Sequence, residues 1–222
     1  MHTHFLIPAV LLALAGCSSP ASNEETWVAG DDEEITAPSK AEVHTLLQGW
    51  FDANLQCTPF FPLPHDIPAD AEHRRKQMQA FIDAGLLRMG GELSLADPNS
   101  GSGQRRVIRY TATPEGEKQF RPGTGVLKNQ KTVLCYGRPE VKIDNVGDPD
   151  TTFSRLEVTY RYRLTDIPAW ARSPSILAFY PGFQERLERE EEEHQTLYQK
   201  DGKWELERPP SLAMFDLQQL SR

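Results

Sequence analysis

Leu156-Glu157-Val158-Thr159-Tyr160-Arg161-Tyr162-Arg163-Leu164 alternates apolar and polar side chains without a break. Successive side chains of a strand point to opposite faces, so this pattern demands a sheet with one buried face and one wet face. The segments around it supply partners for that strand. Thr132 to Tyr136 and Glu140 to Val146 are strand-like, and Gly147-Asp148-Pro149-Asp150 is a turn that joins the latter to Leu156–Leu164 as a hairpin. Thr196 to Gln199 and Lys203 to Glu207 flank Asp201-Gly202, a two-residue hairpin signal. Between these hairpins, Pro174 to Phe183 and the Glu/Arg-rich run 184–194 read as a helix. Its Glu185/Arg189 and Arg186/Glu190 pairs are spaced as neighbours on a solvated helical face. Antiparallel strands with helices to one side make an α+β fold.

The first half is more helical. Ser39-Lys40-Ala41-Glu42 is a capping box in which Ser39 and Glu42 each satisfy a free amide of the other. The helix it opens carries Val43, Leu46, Leu47 and Trp50 on one face and is expected to run to about Gln56. Phe60 to Pro68 holds three prolines and reads as an extended, aromatic-bearing connection. Asp70 is the expected cap of a second helix with Met78, Phe81 and Ile82 on its apolar face, closed by Gly85.

Then come "FIDAGLLRM", a Gly/Ser-rich tip at Asn99 to Gly103, and "RRVIRYTATPEGEKQF". Over residues 70–120 this resembles the end of a winged-helix domain: a helix, a two-stranded wing, and a Thr-Pro-Glu-Gly turn opening a short helix. The family's DNA binding is not carried over. Glu72, His73, Arg74, Arg75 and Lys76 give only a local basic cluster, and the domain as a whole lacks the basic surface that phosphate binding demands, so no nucleic-acid partner is expected. The closing "DGKWELE" resembles the last hairpin of cystatin-like or NTF2-like curved sheets. The sequence divides into a helical, winged-helix-like part at 39–127 and an antiparallel sheet part at 128–222, and leaves open whether they are one domain or two.

The amino terminus sets the address. Leu6 to Ala15 is a short apolar run ending in Leu14-Ala15-Gly16-Cys17. About ten apolar residues are too few to span a bilayer, which needs roughly 20. The segment resembles the lipobox signal of bacterial lipoproteins. That resemblance implies a signal peptide at 1–16 and Cys17 as the mature amino terminus, carrying lipid (palmitate among its acyl chains) as a membrane anchor. Ser18 after the cysteine implies sorting to the outer membrane, facing the periplasm. Residues 17–38 then read as the lipidated cysteine and an acidic tether. Of the formal net charge of −8, Glu24, Glu25, Asp31, Asp32, Glu33 and Glu34 account for six charges, with no base among them. A flexible coil of this length spans roughly 25 Å. The remainder of the chain is nearly neutral.

With Cys17 committed to lipid, Cys57 and Cys135 are the remaining thiols of an exported chain, and a disulfide between them is the simplest use. Neither lies in a Cys-x-x-Cys, so a redox role lacks a resolving partner.

Catalytic and metal chemistry leave little trace. His44, His65, His73 and His194 are scattered singly, so no metal or other cofactor is expected. Asn99 to Gly103 is neither a nucleophile elbow nor a phosphate loop, and Glu190 to Glu193 reads as a solvated face. Phe60, Phe61, Trp170, Phe179, Tyr180 and Phe183 lie in or near Pro-rich connections. They either seal the sheet ends or line a groove, in which Arg161 and Arg163, with Trp170 and Tyr180, would hold a peptide, glycan or anionic ligand. The expectation is a non-catalytic envelope lipoprotein that binds a protein or envelope component. The alternatives are a small-molecule or antibiotic binder and an envelope hydrolase.

Overall fold

Ser39 accepts the backbone N–H of Glu42 while the Glu42 carboxylate accepts that of Ser39, so the predicted capping box is present and starts helix α1 (Lys40–Ala53). The computed structural model of the chain describes residues 35–219. The expected signal peptide, Cys17 and the tether up to Glu34 lie outside them. Of the tether, residues 35–38 are described, and the Thr36 carbonyl accepts the Trp204 indole N–H at 3.1 Å. No helix among the described residues is long and apolar enough to cross a membrane.

After α1 the chain forms β1 (Gln56–Pro59), β2 (His65–Pro68), α2 (Glu72–Asp83), β3 (Leu87–Ala96), β4 (Gln104–Ala112), α3 (Pro114–Gln119) and β5 (Phe120–Arg121). A 3-10 turn at Gly125–Leu127 leads into β6 (Val133–Val146) and β7 (Arg155–Thr165). Next come a second 3-10 turn (Ala169–Arg172), α4 (Pro174–Phe179), α5 (Pro181–Glu188), β8 (Glu191–Lys200) and β9 (Lys203–Leu206). The fold is α+β. The larger sheet has the order β1-β6-β7-β8-β9, with β5 also on β6, and the smaller one β2-β4-β3. Every strand pairing in them is antiparallel.

The alternation of β7 is realised in full. Leu156, Val158, Tyr160, Tyr162 and Leu164 are buried, while Glu157 and Arg163 are exposed. Against the buried face α1 packs Val43, Leu47 and Phe51, forming one core with Val141 and Leu197. A second, larger core joins Met78 and Phe81 of α2, Ile67, Ile108 and Tyr110 of the small sheet, Leu134 and Tyr136 of β6, and Trp170, Ile176, Tyr180 and Phe183. Both cores draw on residues from either side of position 127, so residues 39–127 and 128–219 are one domain.

Several local expectations are corrected. Helix α1 stops at Ala53 because Gln56 to Pro59 pair with β6. Asp70 does not cap α2: the first helical bond runs from the Arg75 N–H to the Ala71 carbonyl, which makes Ala71 the cap, with no side-chain bond. The strands expected at Thr132–Tyr136 and Glu140–Val146 fall in one continuous strand, Val133–Val146. The run 184–194 is not one helix with the residues before it. Pro181 starts a separate helix, and residues from Glu191 onward pair with β7, Glu192 standing opposite Arg161. That pairing relieves the like-charge crowding that Glu190 to Glu193 would suffer on a helix. The winged-helix resemblance is not supported. Over 70–120 the chain forms α2, the β3–β4 hairpin with β2 as a third strand, and α3.

The Thr-Pro-Glu-Gly turn nevertheless has a clear physical basis. Thr113 caps α3 by accepting the Gly116 N–H, and its hydroxyl donates to the Gly85 carbonyl at 2.6 Å. A Cβ at residue 116 would overlap the Leu86 carbonyl oxygen. Gly116→Ala must displace backbone, so a loss of about 2 kcal/mol or more is expected in urea unfolding.

The chain closes over itself at its end. Residues 208–219 run without regular structure, and side chains hold their backbone. Tyr162 and Tyr136 hydroxyls accept the N–H groups of Ala213 and Phe215, and the Thr58 hydroxyl accepts that of Leu217. Arg186 and Gln56 donate to the Ala213 carbonyl, Tyr180 and Gln77 to that of Leu217. Arg186 is therefore no solvated surface residue. It is 8% exposed, and its ion pair is with Glu191 at 3.2 Å.

The predicted disulfide is present. Cys57 and Cys135 are directly opposed on β1 and β6 and are bonded across 78 residues of sequence. Closing a loop of that size removes enough unfolded-chain entropy to stabilise the fold by up to about 4.5 kcal/mol. Cys57→Ser is expected to lower stability towards that limit in urea melts, and reductant is expected to destabilise the wild type alone.

Candidate functional site

Register decides the fate of the two arginines on the wet face of β7. Arg161 faces Lys142 and Arg163 faces Glu140 across the β6–β7 pair. Arg161 grips Asp144 with two hydrogen bonds, at 2.6 and 2.8 Å, and reaches Glu190 at 3.0 Å. Arg163 donates twice to Glu140 Oε2, at 2.9 and 3.0 Å. Both cations are thus already occupied by carboxylates. The Arg161 hydrogen bonds hold the Asp144 carboxyl below its ordinary value of 3.8.

The two aromatic members of the expected groove lie elsewhere. Trp170 and Tyr180 are 5% and 3% exposed, inside the larger core. The Tyr180 hydroxyl is bonded to Gln77 and the Leu217 carbonyl, and burial pushes its pKa up. Phe60 and Phe183 are fully buried beside them, so these aromatics are packing groups. The structure does not bring Arg161, Arg163, Trp170 and Tyr180 together as one surface.

What it does assemble is a cleft where the two sheets meet. A cavity of about 560 Å³ is bounded by Leu63 and Pro64, by Arg88 of β3, Thr111 and Ala112 of β4, Glu117 of α3, and Phe120–Pro122 and Lys131 around β5 and the start of β6. Arg88 donates from Nε to the Thr111 hydroxyl at 3.2 Å. Among the described residues, neither it nor Arg121 nor Lys131 forms an ion pair, and Glu117 also stands unpaired in the wall. Three cations against one carboxylate give the cleft a positive balance over a floor of Leu63, Phe120 and Pro122. Strand β5 fixes this geometry, because Phe120 and Arg121 pair with Leu134 and Val133 of β6.

On the other side of Arg121 and Pro122 lies a second pocket of about 290 Å³. It sits between the end of α1 and the 3-10 turn, against Trp50, Leu55, Leu127, Val133 and the disulfide. Asp52 is its acidic neighbour, and that carboxylate is already bonded to Gln48 and Arg138.

Sequence reasoning missed both. Arg88, Arg121 and Lys131 stand on separate elements, and no spacing rule relates them. Glu92 stands four residues after Arg88 and Glu117 four before Arg121, so the sequence offers both arginines a nearby acid and no signal marks the cluster. Among the described residues there is no group of His, Cys, Asp or Glu able to hold a metal ion. The serines of the 99–103 tip bond to each other and to the Gln104 carbonyl. No family model, curated protein or solved structure matches the chain.

The carboxylates set the acid limit of this surface. Arg109 holds Asp66 with two hydrogen bonds of 2.7 Å and, like Arg161 with Asp144, keeps its carboxyl below the ordinary 3.8. A carboxyl lowered on folding stabilises fully above its unfolded value, and that contribution is lost as pH falls through the folded value. The urea midpoint is therefore expected to decline once pH drops below 3.8, and Asp66→Asn is expected to lessen the decline.

Proposed function

We propose that this chain is a non-catalytic lipoprotein of the bacterial envelope, anchored through lipid on Cys17 and facing the periplasm from the outer membrane, whose folded body binds an envelope component. The observation that carries the binding part is the cleft of Arg88, Arg121 and Lys131. Placing unpaired cations together costs stability through mutual repulsion, and a fold retains such an arrangement where an anion completes it. The wet face of β7 is a weaker candidate, since a ligand there must first displace Asp144 and Glu140 from their arginines. The anchor rests on Leu14-Ala15-Gly16-Cys17, and its function is to hold the cleft near a membrane surface. The small-molecule alternative draws on the 290 Å³ pocket beside the cleft.

Two experiments test this. Cys17→Ala is expected to abolish acylation, seen as loss of labelled fatty acid and of the mature lipidated species in membrane fractions. Mature, acylated protein from that variant would refute the anchor. Cross-linked purification from native membranes is expected to recover one near-stoichiometric envelope component with wild type. Arg88→Glu combined with Lys131→Glu is expected to lose it, while Arg163→Glu retains it. Equal recovery by all three would refute the cleft as the binding site.

A further inference from the structure

The cleft and the pocket share a wall. Arg121 and Pro122 border both, so a ligand lying across them has a cationic surface at one end and an apolar recess at the other. The apolar end is built of Trp50, Leu55, Leu127 and Val133, and Val126 stands beside it at 68% exposure. The cationic end offers Arg121, with Arg88 and Lys131 in the same lining. Guanidinium groups suit the planar or tetrahedral oxygens of carboxylate and phosphate, which they can bind through two donors at once.

Resting on the envelope-binding reading, we infer that the two cavities are one bipartite site for an anionic amphiphile, a phosphate or carboxylate headgroup on Arg121 and Lys131 with its acyl chain in the pocket beside Trp50. A bare anion leaves the apolar recess unfilled. A neutral chain leaves the three cations unpaired. The amphiphile satisfies both, and each methylene it buries strengthens binding roughly fourfold. The acyl chain enters between the end of α1 and the 3-10 turn, where the disulfide fixes the pocket wall. The anchored protein would thereby meet its ligand at the surface that holds it.

The test uses the mature chain, residues 17–222, made without its signal in an oxidising host and therefore unacylated. Calorimetry compares decyl phosphate and decanoate, each below its micelle concentration, with inorganic phosphate and decyl maltoside. At least one decyl anion is expected to bind one to one, and at least tenfold tighter than phosphate or the maltoside. Arg121→Gln combined with Lys131→Gln is expected to weaken that anion at least tenfold and to leave the maltoside unchanged. Val126→Asp, at a position 68% exposed, is expected to weaken every decyl probe and leave melting unchanged. Phosphate binding as tightly as the decyl anions would overturn the bipartite site, as would equal binding of the maltoside or no binding at all. Retained membrane capture alongside any of these failures would leave the broader envelope-binding reading standing.

Discussion

Strand β6 is the constraint on which the rest of this domain depends. Its first half is buried on both faces: Leu134 and Tyr136 enter the larger core, while Cys135 points the other way and is bonded to Cys57. Its second half contributes Val141 to the core under α1. One strand thus links the two cores, and it offers edges to β1, β5 and β7. Because Leu134 and Val133 pair with β1 on one side and β5 on the other, Arg121 is held at the boundary between the sheets. The cleft and pocket on either side of Arg121 are consequences of that pairing.

The carboxy-terminal strap explains why so many polar groups lie inside. Residues 208–219 bring backbone donors and acceptors into the interior without a ladder to satisfy them. Buried polar groups need partners, and here Tyr136, Tyr162, Tyr180, Gln56, Gln77 and Arg186 supply them. Arg186 in turn needs a counter-charge, which Glu191 provides from the start of β8. This coupling of α5, β8 and the strap decides the conformation of the acidic run, and no window of local sequence contains it.

The parts of the fold legible in the sequence are those settled by neighbouring residues. The Ser39–Glu42 box, the alternation of β7 and the Asp201-Gly202 hairpin each express a local rule that the whole fold respects. The disulfide was legible from the number of cysteines and the expected compartment. Glu190 to Glu193 misled because charge at helical spacing is also charge at strand spacing, and only the ladder to β7 distinguishes them. Arg161 and Arg163 were correctly placed on a wet face, but their carboxylates come from β6 and from the loop after α5, so their pairing was invisible. Arg88, Arg121 and Lys131 were missed for the opposite reason, since a cleft between two sheets has no linear signature.

On the proposed reading, the acidic run before residue 35 and the nearly neutral remainder suit a protein held beside a membrane without being drawn flat onto it. In that setting the positive cleft at the sheet junction is a local exception, and its apolar neighbour gives it selectivity for amphiphiles. The most direct test places a photo-crosslinking amino acid at position 126, beside the pocket, and as a control at position 153, an equally exposed apolar site in the β6–β7 connection. After irradiation of intact cells, intact-mass analysis is expected to find an anionic lipid attached through position 126 and none through 153. No adduct at 126, or the same adduct at both positions, would contradict the account.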